Sequence, residues 1–140
     1  MSTFQASREI PATPLGIFGA FSDAQRLARW WGPAGFTNTF DRCDFRPGGS
    51  WSYVMFGPDG NHFRNESVFA EVDPPTKVVV RHVSKPESRL TITLTPSPGG
   101  TTVSWVQEFD DAEVARRIEH IVVPANKQNL DRLSAEVARV

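Results

Sequence analysis

Trp30-Trp31-Gly32-Pro33 is the stretch on which the reading of this chain turns. Upstream of it apolar residues recur at helical spacing, and from residue 36 to residue 109 they alternate with period two. Two adjacent indoles cannot share one helical face, because neighbours on a helix point about 100° apart. One ring is therefore expected to face the core and the other a pocket or rim, with Gly-Pro ending the helix.

Working back from the indoles, Ser22-Asp23-Ala24-Gln25 matches a capping box, with Ser at the cap and Gln three residues on. A short helix is expected from there to Gly32-Pro33, anchored by Leu27 and one of the two tryptophans. Earlier, Thr13 reads as an N-cap with Pro14 at the first helical position, opening another short helix whose buried stripe is expected to be Leu15, Phe18 and Phe21. Residues 4–10 have the length and flanks of a strand.

Working forward, turn chemistry at Pro47-Gly48-Gly49, Gly57-Pro58-Asp59-Gly60, Asp73-Pro74-Pro75 and Pro98-Gly99-Gly100 delimits six strands. Trp51, Tyr53 and Met55 alternate onto one face, as do Val78, Val80 and His82, then Leu90, Ile92 and Leu94, then Val103, Trp105 and Gln107. That regularity predicts an antiparallel meander with one face buried and the other wet. The last segment is helical, capped by Asp110 or Asp111, with Val114, Ile118, Ile121 and Val122 at helical spacing. Pro124 is expected to kink or restart it. Beyond the proline, Asn126, Leu130, Leu133, Val137 and Val140 form one stripe, apolar except for the Asn that leads it.

The order is thus strand, two short helices, six strands and a long helix, an α+β arrangement without βαβ alternation. The expectation is a seven-stranded curved antiparallel sheet wrapped around a long C-terminal helix, with two short helices between strands 1 and 2. A sheet that bends around one amphipathic helix leaves a gap wherever it curves away, and that gap is the candidate site.

Composition narrows the function. With 140 residues the chain fits one domain, 1–140, of about 14 Å radius of gyration. Ten Phe and 4 Trp against 1 Tyr supply bulky apolar filling with few hydroxyls to satisfy. A net charge of -1, from 15 basic and 16 acidic residues, argues against nucleic acid as a partner. The single cysteine, Cys43, excludes an internal disulfide and suits a reducing compartment; Met1-Ser2-Thr3-Phe4-Gln5 lacks the regions of a signal peptide, so the cytoplasm is expected. The aliphatic run at residues 118–123 is far short of the roughly 20 residues a membrane insertion needs. His62, His82 and His120 have no zinc-ligand spacing, neither a Walker sequence nor a dinucleotide fingerprint is present, and the serines lack a nucleophile-elbow context. No metal and no cofactor is expected. Cys43 reads as an inert thiol, Arg46 and Arg64 as surface charges, and Asp110, Asp111 and Glu113 as favourable charges at a helix N-terminus.

Trp30-Trp31-Gly32-Pro33, Phe45-Arg46-Pro47-Gly48-Gly49-Ser50-Trp51, Gly57-Pro58-Asp59-Gly60, Asn65-Glu66-Ser67, Pro74-Pro75 and Asn126-Lys127-Gln128-Asn129-Leu130-Asp131-Arg132-Leu133 occur in that order. Together they resemble the START-like helix-grip superfamily known as SRPBCC, and within it the bacterial proteins named after the activator of the heat-shock-protein-90 ATPase. The resemblance implies a curved sheet gripping the C-terminal helix over a largely apolar cavity. It also implies relatives that bind lipids, sterols, polyketides or plant hormones, a minority of them cyclases or hydrolases. Many relatives carry Gly-Trp just before the final helix, where this chain has Ala125-Asn126; by that resemblance, losing the indole would enlarge the hollow and add one polar contact.

A small, mostly apolar ligand of lipid, polyketide or aromatic type is therefore expected between sheet and helix. Trp31, Phe36, Trp51 and Tyr53 would wall it, with Met55, Trp105 and Leu130. Glu66, His82, Gln107 and Asn126 are the polar residues on inward faces, and the two short helices with residues 32–35 would form a movable mouth. Glu66 and His82 on neighbouring strands could also serve as an acid–base pair in a cyclase-like or hydrolase-like enzyme. Asn65 competes with Glu66 for the inward position, since a slip of one residue exchanges the faces. A chaperone-partner or stress-related interaction protein is the third reading, and a homodimer through a sheet edge or helix is compatible with all three.

Overall fold

The computed structural model describes residues 2–139. Its elements are β1 (Thr3–Ile10), α1 (Pro14–Ser22), α2 (Ala24–Trp30), β2 (Thr37–Cys43), β3 (Gly49–Phe56), β4 (His62–Asp73), β5 (Lys77–His82), β6 (Ser88–Ser97), β7 (Gly100–Phe109) and α3 (Ala112–Ala138). The strands form one antiparallel sheet in the order β1-β7-β6-β5-β4-β3-β2, so only the first strand departs from a simple meander. This curved sheet, with the long C-terminal helix and the two short helices between the first two strands, is the helix-grip fold the sequence pattern called for.

Register sets which side chains meet. Val78 pairs with Ile92 and Ile92 with Trp105; Val80 pairs with Leu90 and Leu90 with Gln107; His82 pairs with Ser67 on one side and Ser88 on the other. Paired residues share a face, so these rows build the concave side of the sheet. Register shifts at Phe40/Arg42 and Phe69/Glu71 place an extra residue in β2 and β4, which bends each strand.

Four expectations are corrected. Asp23, not Ser22, caps α2: its carboxylate accepts from Gln25 N at 3.0 Å and Arg26 N at 3.4 Å, while Ser22 remains the last residue of α1. In α1 the buried residues are Ile17, Phe18, Ala20 and Phe21, and Leu15 is 69% exposed. Ile17 and Phe21 lie one turn apart and centre the buried face between them, which carries Leu15 round to solvent. Ile121 is likewise exposed, because α3 turns Ala115, Ile118 and Val122 inward instead. Finally, Pro124 does not restart α3, which runs on through it as one helix. Pro124 and His120, whose carbonyl loses its helical donor, are both exposed, so the missing donor falls on the solvent side of the helix. The stripe continues through Leu130, Leu133 and Val137; Val140 lies outside the described residues.

Two separate apolar clusters result. Leu130 and Leu133 join the main core with Trp30, Trp51, Trp105 and Phe69, whereas Ala115 packs with Phe4 and Phe109 in a smaller one. The helix is thus sealed against the sheet near both ends. Between the seals it bridges a gap.

Candidate functional site: the hollow under the long helix

The two indoles divide as the sequence predicts, for a reason that lies in the backbone. Trp30 closes α2, but Trp31 is already extended (φ -67, ψ 133), so its ring leaves in a new direction. Trp30 buries its ring against Phe21 (4.9 Å between centroids) and donates Nε1–H to Ala20 O at 2.9 Å. Trp31 turns to the sheet, 4.8 Å from Trp51 and 5.8 Å from Trp105, and donates to the Tyr53 hydroxyl at 3.1 Å. Burial pushes that phenol up to about 12, so it stays a neutral hydroxyl. Gly32 follows with φ +99, a left-handed backbone that favours glycine, and its Cα hydrogen faces Met55, whose Cε would lie 2.6 Å from a Cβ there and would have to move aside.

Trp31, Tyr53, Met55 and Trp105 line a hollow of about 250 Å³, closed from above by Ile118, Val122 and Ala125 of α3. Its polar groups form two sets. On the β4–β5 side, His82 Nε2 is 2.7 Å from Asn65 Oδ1 and Nδ1 is 3.0 Å from Pro86 O. Both partners are carbonyl oxygens, which only accept, so a neutral imidazole with its single N–H donates to one of them at a time. On the β7 side, Asn126 Nδ2 donates to Gln107 Oε1 at 3.2 Å, and Gln107 Nε2 reaches Ser88 Oγ at 3.5 Å. The buried Trp105 Nε1–H has no hydrogen-bond partner.

The hollow shares Pro86, Phe109 and Ile118 with an outer recess whose remaining wall includes Lys85, Glu87, Asp110 and Asp111. Lys85, Asp110 and Asp111 are exposed, so the recess connects the interior to solvent beside the first turns of α3.

The opposite end is clasped shut. Arg132 Nη1 donates to the carbonyls of Trp31 (3.1 Å), Gly32 (3.0 Å) and Pro33 (2.9 Å), and Nη2 to those of Arg29 (2.6 Å) and Phe36 (3.0 Å). Asn129 Nδ2 holds Trp30 O at 3.1 Å, and Gln128 Oε1 accepts from Ala34 N at 3.1 Å. Residues 32–35 are therefore pinned to α3, which corrects the expectation of a movable mouth there.

One turn further along, the buried carboxylate of Glu136 takes Arg29 (2.8 and 3.0 Å), Arg26 (3.1 Å) and Arg139 (3.1 Å). The Arg29 guanidinium, helped by the other two, holds its carboxyl down at about 2. A depressed carboxylate stabilises the fold above its unfolded pKa and loses that contribution as pH falls through the folded one. Acid titration is thus expected to remove about 2 kcal/mol between pH 4.5 and 2, a figure reduced for the half-exposed Arg29 and Arg139. Urea unfolding at pH 6 and pH 3 measures it: E136Q should lose most of this pH dependence, and an E136Q curve parallel to the parent would contradict the assignment.

The sequence profile of the family described as "Activator of Hsp90 ATPase homolog 1-like protein" matches residues 11–138. The chain belongs to that family. Solved structures agree. A solution NMR structure of a protein from Arthrobacter aurescens superposes with a TM-score of 0.90 at 21% identity, covering 99% of this chain and 87% of that one. A crystal structure from Chromobacterium violaceum gives 0.84 at 26%, covering 96% of each chain. The AHSA1 protein of Silicibacter pomeroyi gives 0.76 at 26%, covering 97% of each. No curated protein matches.

Within this activator-homolog fold, Trp31, Tyr53, Met55, His82, Trp105, Gln107 and Asn126 come together on the hollow. Phe36, Trp51, Glu66 and Leu130 do not. Trp51 lies behind Trp31, stacked on Phe69 at 5.1 Å and 11°, and is core. Leu130 faces the core beneath β1. Phe36 packs near Phe63, 6.4 Å away, outside the cavity wall. Glu66 pairs with Ser52 while its neighbour Ser67 pairs with His82, so Glu66 and His82 lie on opposite faces and the proposed acid–base pair does not form. Asn65 takes the inward place. Cys43 is half-buried with its thiol pushed up to about 11 by burial, and Arg46 and Arg64 pair with Asp44 and Asp41 at the surface. Ala125 and Asn126 both line the hollow, but from within α3 rather than ahead of it.

The Arg132 clasp was missed, although a signal existed. Asn129, Arg132 and Glu136 recur at steps of three and four, a polar stripe beside the apolar one, and such a stripe has to meet polar partners where the helix is covered.

Proposed function

We propose that this activator-homolog protein binds a small, mostly apolar molecule in the hollow between the concave face of the sheet and α3. The observation that carries the reading is the pair of separate clusters, which leaves Trp31, Trp105 and Val122 around open volume rather than interlocked. Apolar walls with a few convergent polar groups are the usual composition of a small-molecule site. At about 250 Å³ the hollow is smaller than the roughly 300–1,000 Å³ common for drug-sized ligands, which favours a compact ring system over a two-chain lipid. A well-packed interior would favour a chaperone-partner role, whereas the open hollow favours the ligand-binding reading. No helix among the described residues is long and apolar enough to cross a membrane.

Native mass spectrometry of freshly purified protein tests this directly, a retained small molecule being the expected result. Val122 is half-buried over the hollow, and V122W should fill it. Binding of a neutral environment-sensitive dye is expected to weaken at least about tenfold while the far-UV spectrum is kept. An unchanged affinity in the folded variant would place the dye, and the site, elsewhere.

A further inference from the structure

We infer that the hollow takes uncharged molecules and turns away carboxylates and phosphates; the inference rests on the ligand-binding reading above and narrows its ligand class. Among the described residues that line the hollow there is no Asp, Glu, Lys or Arg. A buried anion needs a counter-charge or several donors to replace the water it loses. Five arginines of the surrounding elements are committed elsewhere: Arg132 to five carbonyls, Arg81 to Asp110, and Arg26, Arg29 and Arg139 to Glu136. His82 is the one basic side chain on the wall, and both its ring nitrogens already face oxygens, of Asn65 and Pro86.

The outer recess acts in the same direction. Its one lining cation, Lys85, stands among Glu87, Asp111 and an Asp110 already paired with Arg81, so the recess offers an anion no unopposed positive charge. The groups that remain to recognise a ligand are neutral. Asn126 and Gln107 keep amide donors and acceptors beyond the bond between them and the one from Gln107 to Ser88. Gln107 on β7 and His82 on β5 stand two strands, or about 10 Å, apart across the sheet, with Ser88 of β6 between them. A compact ring system carrying a carbonyl, hydroxyl or amide at one or both ends fits that spacing.

The test uses shape-matched amide and carboxylate pairs on the full chain: 2-naphthamide with 2-naphthoate, 4-phenylbenzamide with 4-phenylbenzoate, and decanamide with decanoate. Affinities are read at pH 8 and 0.15 M salt by tryptophan quenching and checked by calorimetry. For each pair that binds, the amide is expected to bind at least about 30-fold more tightly. A carboxylate that equals or exceeds its amide overturns the charge selection and leaves cavity binding standing. If none of the six binds and no molecule is retained on purification, the cavity reading falls and this inference with it. N126R would place a guanidinium over the hollow from a half-buried position. In that variant the carboxylates should gain at least about tenfold, and no gain in a folded N126R would show that missing positive charge is not what excludes them.

Discussion

Replacing Arg132 by Ala should lower the unfolding free energy by about 3 kcal/mol, equivalent to roughly 10 °C in Tm for a chain of this length. One guanidinium serves five carbonyls between Arg29 and Phe36, including the end of α2, where carbonyls have no helical donors of their own. Burial already lowers the pKa of this arginine, so its stay inside depends on those oxygens. Removing it leaves several partly buried acceptors without a donor, which costs more than the hydrogen bonds contributed. R132K should recover less than half of the loss, because an ammonium cannot spread donors across two arms of a planar fork. Urea denaturation of the parent and both variants decides it. A loss under 1 kcal/mol for R132A, or full recovery by R132K, would mean that the carbonyls find water and the clasp is incidental.

Trp31→Ala should cost more, about 4 kcal/mol, and should also abolish tight binding of compact ligands. The indole packs against Trp30 (5.6 Å), Trp51 (4.8 Å) and Trp105 (5.8 Å) and supplies the hydrogen bond to the buried Tyr53 hydroxyl. Its removal merges the space it filled with the existing hollow and strips one wall. W31F keeps a ring but not the N–H, and should cost about 1–2 kcal/mol. Equilibrium unfolding gives the stability, and titration of the folded variants with 2-naphthamide gives the affinity. Binding of that amide unaltered in folded W31A would remove Trp31 from the site.

These effects differ in how far the primary sequence announces them. The strands were legible because alternation and turn residues act within a few positions: Trp51-Ser52-Tyr53-Val54-Met55 can bury one set of side chains in only one way. The same local logic placed Thr13 as a cap, where its side chain accepts from Gly16 N at 3.1 Å. It failed at Asp23, where a carboxylate one position on outcompetes a hydroxyl, and at Leu15, where a nine-residue helix offers more than one plausible apolar face. For the cavity, residues that protrude from regular strands were found, whereas Trp51 and Leu130 were misplaced because core and pocket walls have the same chemistry.

What the sequence determined by itself was the element order, the concave set of apolar residues and the division of labour between two neighbouring indoles. These follow from steric preferences and periodicities that each segment carries alone. Tertiary structure alone decided whether Asn65 or Glu66 looks inward, where the hollow opens, and that Arg132 fastens residues 29–36 from about a hundred positions away. Those outcomes hang on strand register and on long-range pairing, where a shift of one residue reverses a face and no local pattern records the partner.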